Sequence, residues 1–369
     1  MRKYAKIVLV LLMAGMLFAF TACSSTPDAG PADTGTEAPA QTETPVADDT
    51  PADTGGDSGG GGGDGYTIGY LGWDLSTDWN RYTLGGLQWG AEKYGWEVLI
   101  TDAKINADAQ VSAAQEFINQ GVDCMAMFPV TPESGATIVR MCNEAGIPIA
   151  VDNTFLPVDG SAGEMAGQVA CQYNDIGYAA IKWAAENVED AKLLYVHGGR
   201  GEGVYELYQV GVDQAFADFA DKVENVGLID GEWITEASYN VTIDYIAANG
   251  VNFNVVFANN DAQAKGVDQA LKEAGAQGIP IISTGGSNEG LEMLKDGMQA
   301  ANMTAPANIQ GIIEFGQLLA VMNGMSWGDP KIPLPVIPID SNNIDDWILW
   351  SDMDAGYAYV ESAIGPYVK

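Results

Sequence analysis

The chain has 369 residues and a formal net charge of −34 at pH 7, from 16 basic and 50 acidic residues. A surface this negative repels phosphate backbones and anionic lipid, which excludes nucleic-acid binding. The length exceeds that of one typical core, so we expect two lobes in addition to any terminal segments.

The N-terminus has the pattern of a secretory signal. Three basic residues among the first six are followed by a fourteen-residue apolar run, 7–20, and by small residues that end at Cys23. The run is too short to span a bilayer, and its basic start and small-residue end predict a signal peptide over residues 1–22.

A Cys directly after such small residues resembles the bacterial lipoprotein signal, although Phe20 stands where that signal usually has Leu. The resemblance implies that Cys23 is diacylated, becomes the mature N-terminus and anchors the chain to the extracytoplasmic face of the cell membrane. The alternative is ordinary cleavage after Ala22, which leaves Cys23 a free thiol on a secreted chain.

Residues 23–65 follow as an acidic, Gly-rich segment. Apart from Cys23 and one Val, it contains only Ser, Thr, Pro, Asp, Ala, Gly, Glu and Gln. Such a segment buries too little apolar surface to offset the entropy of ordering, so we predict a disordered tether with a reach of about 35 Å. Residues 66–369 then retain 13 basic and 41 acidic residues, a net charge near −28.

From residue 66 onward, short apolar segments alternate with amphipathic ones. The strand-like segments are 67–73, 96–101, 124–128, 147–152, 168–171, 192–197, 223–229, 254–258, 279–284 and 300–304. The helical patterns are 79–94, 107–120, 133–145, 175–187, 204–219, 238–248, 261–274, 287–296 and 307–325. Near-continuous hydrophobicity of the strands indicates burial on both faces, so we predict doubly wound parallel sheets covered by helices. Ligands in such sheets bind at the carboxyl ends of strands.

Cys124, Cys142 and Cys171 all lie among apolar neighbours. We expect buried free thiols, because free Cys packs as a small hydrophobic residue; a Cys124–Cys142 disulfide is the alternative. No Cys/His spacing typical of a zinc site is present, so we expect no metal.

Little in the chain indicates catalysis. His197 is the only histidine, and no nucleophile stands at a matching spacing. The Gly-rich segment 198–203 looks like a dinucleotide loop, but Val204 and Glu206 occupy positions where that loop requires Gly. We therefore expect neither a cofactor nor an enzyme. A pair of carboxylates suited to glycoside hydrolysis is left open, because the sequence does not give the distance between them.

A series of segments carries a family resemblance. They are 67–71, 79–82, 93–96, 101–103, 120–123, 143–152 and, most specifically, 257–261 followed by 264–266. In this order and spacing they resemble the type I periplasmic sugar-binding proteins, the ribose-binding and related solute receptors of ABC importers, over residues 66 to about 336.

The resemblance implies two lobes that close around a ligand and are joined by three crossover strands, near 171–172, 304–305 and 332–336. The first lobe would comprise 66–171 plus 305–334, and the second 172–304 plus 335–369.

It also implies positions for a sugar site. A sugar stacks its apolar ring face on aromatic rings and pairs its hydroxyls with polar side chains. By resemblance, Trp79 is the stacking aromatic, Asp152 a hydroxyl-binding carboxylate and Asn260 a hydroxyl-binding amide, with helix capping as a competing role for Asn260. Tyr239 would form a further aromatic wall, and Asn174 follows the first crossover.

The chain departs from the family pattern at four positions. Asn153 and Glu206 stand where the family has Arg, Gly285 where it has Asp, and Thr304 where it has Gln. These replacements remove the bidentate contacts that specify one sugar, which argues against ribose.

Additional aromatic residues stand near the same loops: Trp73, Phe128, Tyr173, Tyr205 and Tyr208. A sugar, polyol or nucleoside-like ligand with a larger stacking face therefore fits better. A cationic ligand held by Glu206, Asp152 and the rings is the alternative.

The implied function is a receptor that delivers a small ligand to an ABC permease and its ATPase. A receptor of the same fold that docks on a sensor kinase or chemoreceptor is the alternative. We expect the aromatic residues of the tail, 340–369, to pack against a lobe or hinge rather than touch ligand. They are Trp347, Trp350, Tyr357, Tyr359 and Tyr367.

Overall fold

A computed structural model describes residues 65–157, 162–201, 203–325 and 331–363. The predicted signal peptide, Cys23, the tether up to residue 64 and Tyr367 lie outside the described residues. Within the described ranges, no helix has the length and apolar character needed to cross a membrane.

Strands and helices alternate along most of the chain. In order, the elements are β1 (Thr67–Gly72), α1 (Asp78–Tyr94), β2 (Glu97–Asp102), α2 (Ala107–Gln120), β3 (Cys124–Met127), α3 (Pro132–Ala145), β4 (Ile149–Val151), β5 (Gly167–Cys171), α4 (Tyr173–Asn187), β6 (Ala191–His197), α5 (Val204–Asp218), β7 (Val223–Asp230), α6 (Thr235–Asn249), β8 (Val255–Ala258), α7 (Asp261–Glu273), β9 (Ile281–Gly285), α8 (Asn288–Lys295), β10 (Ala301–Thr304), α9 (Ala307–Met322), β11 (Lys331–Leu334), β12 (Ile337–Asp340), a 3₁₀ turn (Ile344–Asp346) and α10 (Met353–Ala363).

The strands form two six-stranded sheets, which confirms the predicted α/β fold with two lobes. The first sheet has the order β11-β5-β4-β3-β1-β2 and the second β12-β10-β9-β8-β6-β7. All pairings are parallel except that of β10 with β12, which is antiparallel. Strand β12 is thus an antiparallel edge on an otherwise parallel sheet.

Local sequence explains why the helices begin and end where they do. Helix α3 starts with a capping box in which Thr131 and Ser134 exchange hydrogen bonds, with Pro132 in the first turn. Gly95, Gly121 and Gly146 end the first three helices with positive φ angles of 68°, 75° and 72°. Because each strand is short and these helices end at defined residues, the loops that follow the strands lie at one edge of each sheet.

Close helix packing completes each lobe. In the first lobe α1 packs against α9, where a Cβ added to Gly311 would lie 1.8 Å from the carbonyl oxygen of Thr83. In the second lobe α4 packs against α5, where a Cβ added to Gly211 would lie 1.7 Å from the carbonyl oxygen of Asn174. These helices approach each other closely because Gly has no side chain.

The chain passes between the sheets after β5, after β10 and between β11 and β12. It then crosses once more, because helix α10 packs against α9 of the first lobe. Helix α10 thus lies against the first lobe, although it belongs to the segment 335–369 that the resemblance places in the second lobe.

Cys124, Cys142 and Cys171 are buried and free, which confirms the prediction and excludes the Cys124–Cys142 disulfide. Burial raises the pKa of the Cys124 and Cys142 thiols to about 12. These thiols are therefore inert apolar packing groups at neutral pH.

Candidate functional site

A cavity of about 360 Å³ lies between the two lobes. The first lobe lines it with the loops that follow β1, β3 and β4, and the second with those that follow β7, β8 and β9 and with the starts of α4 and α5. The cavity is thus at the carboxyl ends of both sets of strands, as the sheet type predicts.

On the first lobe, the wall is aromatic. Trp73 and Phe128 follow the neighbouring strands β1 and β3, and their rings stack with centroids 5.9 Å apart and planes 22° from parallel. Both side chains are less than a tenth exposed. They give this wall an apolar aromatic lining against which a ligand ring can pack.

On the second lobe, three more rings line the cavity. Tyr173 and Tyr208 have centroids 5.0 Å apart, and Tyr208 lies 6.4 Å from Trp233. The Trp233 ring lies directly over Gly198, where an added Cβ would come within 2.0 Å of it. Trp233 was not among the predicted site residues, although its position shortly after the end of β7 is a signal for one.

Trp350 of the C-terminal tail also lines the cavity. Its ring is 3% exposed and meets that of Trp79 edge-on, with centroids 5.3 Å apart. Trp350 thus packs against the first lobe, as expected for the tail aromatics, and it also forms part of the cavity wall. Trp347 packs against Leu294 and Ile339.

Three N–H donors of lining residues are buried without a hydrogen-bond partner in the described part of the chain: Trp79 Nε1, Asn80 Nδ2 and Asn259 Nδ2. The amide oxygens of these Asn residues are engaged. Asn80 Oδ1 accepts from the Trp73 backbone N–H at 3.1 Å, and Asn259 Oδ1 accepts from the Tyr195 hydroxyl at 3.0 Å.

Each unpaired buried donor costs about 1–3 kcal/mol, so a ligand oxygen that accepts from these groups recovers that free energy. Asn80 and Asn259 were not among the predicted site residues, although both directly adjoin such residues in the chain.

The charged groups in the cavity wall are acidic and already engaged. Asp78 accepts a hydrogen bond from Arg81, and Glu289 pairs with Lys265. Asp261 is buried and accepts hydrogen bonds from Ser283, Ser287, Gln299 and Asn302. Among the described residues that line the cavity, none is Lys, Arg or His. This lining favours a neutral ligand over an anion, and it offers no free carboxylate to a cation.

Asn153 and Tyr173 join the lobes inside the cavity. The Tyr173 hydroxyl donates a hydrogen bond to Asn153 Oδ1, and both side chains are buried. Asn153 follows β4 of the first lobe, whereas Tyr173 begins α4 of the second. Burial raises the pKa of Tyr173 well above its usual value, so this hydroxyl remains a donor.

Asn260 lines the cavity, but its amide is used within the protein. Its Oδ1 accepts from the Gln263 backbone N–H at 2.7 Å, which caps α7, and its Nδ2 donates to the carbonyl oxygen of Trp233 at 3.0 Å. The capping role is thus present, and Asn260 also orients the Trp233 loop.

Asp152 does not line the cavity. It is fully buried beside Glu314, and these residues bracket Met127: Asp152 N donates to Met127 O at 3.0 Å, and Met127 N donates to Glu314 Oε1 at 2.9 Å. Both Asp152 oxygens, Glu314 Oε2 and the Tyr70 hydroxyl have no hydrogen-bond partner among the described residues.

Burial, reinforced by the neighbouring Glu314, raises the pKa of Asp152 well above its usual value. Burial likewise raises the pKa of Glu314 to about 8. The predicted role of Asp152 as a ligand contact is therefore corrected, because this residue is a buried acid that does not line the cavity.

Two predicted residues point away from the cavity on the helices of the second lobe. Glu206 is exposed and accepts hydrogen bonds from the Gly201 and Gly203 backbone N–H groups at the start of α5. Tyr239, on α6, donates a hydrogen bond to Glu273. Glu206 thus caps α5, and Tyr239 links α6 to α7 through Glu273. Neither residue lines the cavity, so both are removed from the proposed site.

Asn174 and Thr304 also lie outside the cavity. Asn174 is exposed and donates to Asp175 at 2.8 Å. Thr304 is buried at the end of β10, where its hydroxyl donates to the carbonyl oxygen of Ile337 at 2.9 Å. Its position in the pairing of β10 with β12 explains why it does not reach a ligand, and both residues are removed.

Of the predicted positions, the structure thus brings Trp73, Trp79, Asn153, Tyr173 and Asn260 together around one cavity. Within the described ranges, no three His, Cys, Asp or Glu side chains come close enough to hold a metal ion.

Comparison with known proteins gives one family. A family model for the periplasmic binding protein domain matches residues 68–325. The xylitol-binding protein of Mycolicibacterium smegmatis is 27% identical over 266 residues, which cover 70% of this chain and 73% of that protein. The ribose import binding protein of Salmonella typhimurium is 25% identical over 219 residues, 59% of this chain and 72% of that protein.

A solved structure from Mycobacterium smegmatis, in complex with β-D-fucofuranose, superposes with a TM-score of 0.72 at 19% identity and covers 81% of this chain and 98% of its own. This likeness supports the fold. The named relatives are binding proteins and not enzymes, in agreement with the expectation from sequence.

Proposed function

The chain belongs to the periplasmic binding protein family, and by their names two of its relatives bind xylitol and ribose. We therefore propose that it is the extracytoplasmic receptor of an ABC importer for a neutral sugar or sugar-like ligand. The observation that carries this proposal is the interlobe cavity with aromatic rings on both walls, three unpartnered N–H donors and, among its described lining residues, no cationic side chain.

The shape and polarity of the cavity favour one sugar ring. A volume of about 360 Å³ lies at the small end of the range for ligand sites. An apolar ring face stacks on Trp73 and Phe128, while hydroxyl or ring oxygens accept from Trp79, Asn80 and Asn259. A phosphorylated or acidic sugar lacks a cationic partner in this wall and meets a strongly negative protein.

The N-terminal segment is the second part of the proposal. We propose that Cys23 carries the lipid and that the acidic segment to residue 65 tethers the lobes to the membrane. A reach of about 35 Å allows the lobes to meet a permease in the same membrane.

A thermal-shift screen tests the ligand class. The purified protein is mixed with neutral pentoses, hexoses, polyols and nucleosides, and in parallel with sugar phosphates and quaternary amines. A ligand at a hundred times its Kd stabilises the folded state by about 2.7 kcal/mol, which is a measurable shift in Tm. We expect neutral ligands alone to give this shift. Binding confined to anions or to cations would overturn the proposal.

Matched variants locate the site. Asn80→Asp keeps the oxygen that accepts from Trp73 N but replaces the unpartnered amide donor, and it should weaken binding about ten- to a hundredfold. Trp73→Ala should do the same through lost stacking. Tyr94→Ala is the control, because this ring is half exposed on α1 and does not line the cavity.

A further inference from the structure

The C-terminal tail crosses the cavity wall on its way between the lobes. Strand β12 and Trp347 belong to the second lobe, through β10 and through contacts with Leu294. Seven residues beyond Trp347, Asp354 already lies 3.8 Å from Lys93 of the first lobe. We call the crossing segment, residues 347–354, the C-terminal strap.

Trp350, at the centre of the strap, is held by both lobes. In the second lobe, its Nε1 donates to Gly285 O at 3.2 Å and its backbone N donates to Asn288 Oδ1 at 2.9 Å. In the first lobe, its ring meets those of Trp79 and Tyr82 edge-on, with centroids 5.3 and 5.7 Å away. The position of this ring therefore depends on the approach of the two lobes.

Gly285 leaves the space that Trp350 occupies. Its φ is +103°, which side chains rarely adopt, and an added Cβ would lie 3.5 Å from Trp350 and 3.6 Å from Trp79. A longer side chain at 285 would collide with both rings. The strap thus supplies an aromatic group at a position where a side chain of the second lobe is missing.

The indole N–H of Trp350 is already bonded to Gly285, so the residue presents an apolar ring to the cavity and no hydrogen-bonding group. It lies beside Trp79, whose Nε1 is one of the unpartnered donors in the described structure. Trp79 and Trp350 thus form adjoining parts of the cavity wall.

We propose that Trp350 is a ligand-contacting residue that sets the size limit of the site, and that the strap couples ligand binding to the approach of the lobes. This inference rests on the proposed function as a sugar receptor. The ligand class it names is a single neutral ring that carries no bulky substituent at the end facing Trp79 and Trp350.

Ligand selectivity is the first measurement. Wild type, Trp350→Ala and Trp350→Phe are titrated calorimetrically with D-ribose, D-xylose, xylitol, myo-inositol, the methyl glycosides of both pentoses and sucrose. We expect Trp350→Ala to bind the preferred small ligand at least tenfold more weakly and to gain affinity for a larger one. Trp350→Phe keeps a ring and should retain the wild-type order of ligands.

Tyr357→Ala is the matched control, because this α10 residue, just beyond the strap, packs on Trp89 of α1, 5.2 Å between centroids, and does not line the cavity. It should keep the wild-type affinity within about twofold, well under the tenfold step of 1.4 kcal/mol. Wild-type affinity and selectivity in Trp350→Ala would overturn the assignment of Trp350.

Hydrogen exchange of the ligand-free protein gives a second readout that separates the strap from the ligand class. If the strap joins the lobes, Trp350→Ala should raise exchange in the first turns of both α1 and α8, whereas Tyr357→Ala should raise it in α1 alone. Unchanged exchange in α8 would overturn the coupling. A wild type that binds none of these sugars but shows the expected exchange would contradict the proposed ligand class and leave the strap supported.

Discussion

The buried acids Asp152 and Glu314 predict that the folded state loses stability as pH rises. Burial raises the pKa of Glu314 from 4.5 to about 8, so between these values the native state holds a proton that the unfolded chain has released. Unfolding free energy then falls by about 1.4 kcal/mol per pH unit for that proton. The contribution is fully present below pH 4.5 and is lost as pH rises through 8.

Over this window the loss amounts to about 3–5 kcal/mol, a large part of a typical domain stability of 5–15 kcal/mol. Glu314→Gln should remove it, because the amide keeps an oxygen for the Met127 N–H bond but does not ionise. The variant should therefore gain stability relative to the wild type as pH rises from 5 to 8.

Urea denaturation at pH 5, 6, 7 and 8 measures this difference, provided that each transition is two-state. Glu116→Gln is the control, because Glu116 is exposed on α2. A difference between Glu314→Gln and wild type that stays constant across pH would refute the reasoning. So would an equal effect in the control.

Three other variants test the anchor, the cap and the helix packing. Cys23→Ser should move the protein from the membrane fraction to the medium with ligand affinity unchanged, and a wild type already found in the medium would contradict the lipid anchor. Asn260→Ala should lower the unfolding free energy in urea by about 0.5–2 kcal/mol, because it removes the α7 cap and the bond to Trp233; an unchanged midpoint would count against this role. Gly311→Ala places a Cβ 1.8 Å from Thr83 O and should cost about 1–3 kcal/mol or prevent folding, as followed by circular dichroism. An unchanged Tm would show that α1 and α9 can separate at low cost.

Sequence patterns predicted most of the secondary structure. All ten strand segments and all nine helical patterns correspond to β1–β10 and α1–α9. The reason is that strands buried on both faces require continuous apolar runs, and covering helices require an apolar stripe, so each element shows its environment in its own residues. Strand β12 and helix α10 lacked such signals, because both form at the edge of the repeat.

The candidate site was predicted only in part. Trp73, Trp79, Asn153 and Tyr173 directly follow strands or begin helices, so their place at the cavity follows from the sheet type. The sheet type does not predict the direction in which each of these side chains points. Asp152 and Asn153 are neighbours at the end of one strand, yet the first turns into the protein beside Glu314 and the second lines the cavity.

The sequence by itself predicted the α/β repeat, the two lobes and the sheet edge at which a ligand site is expected, because these depend on chain length, local periodicity and residue type, and the family resemblance placed aromatic residues at that edge. Only the tertiary structure decided that Trp350 joins this lining, that Asp152 leaves it and that Asn80 and Asn259 hold unpaired donors. Those features arise from contacts between residues far apart in the chain, where packing selects one rotamer and one partner among many, and no local pattern records that choice.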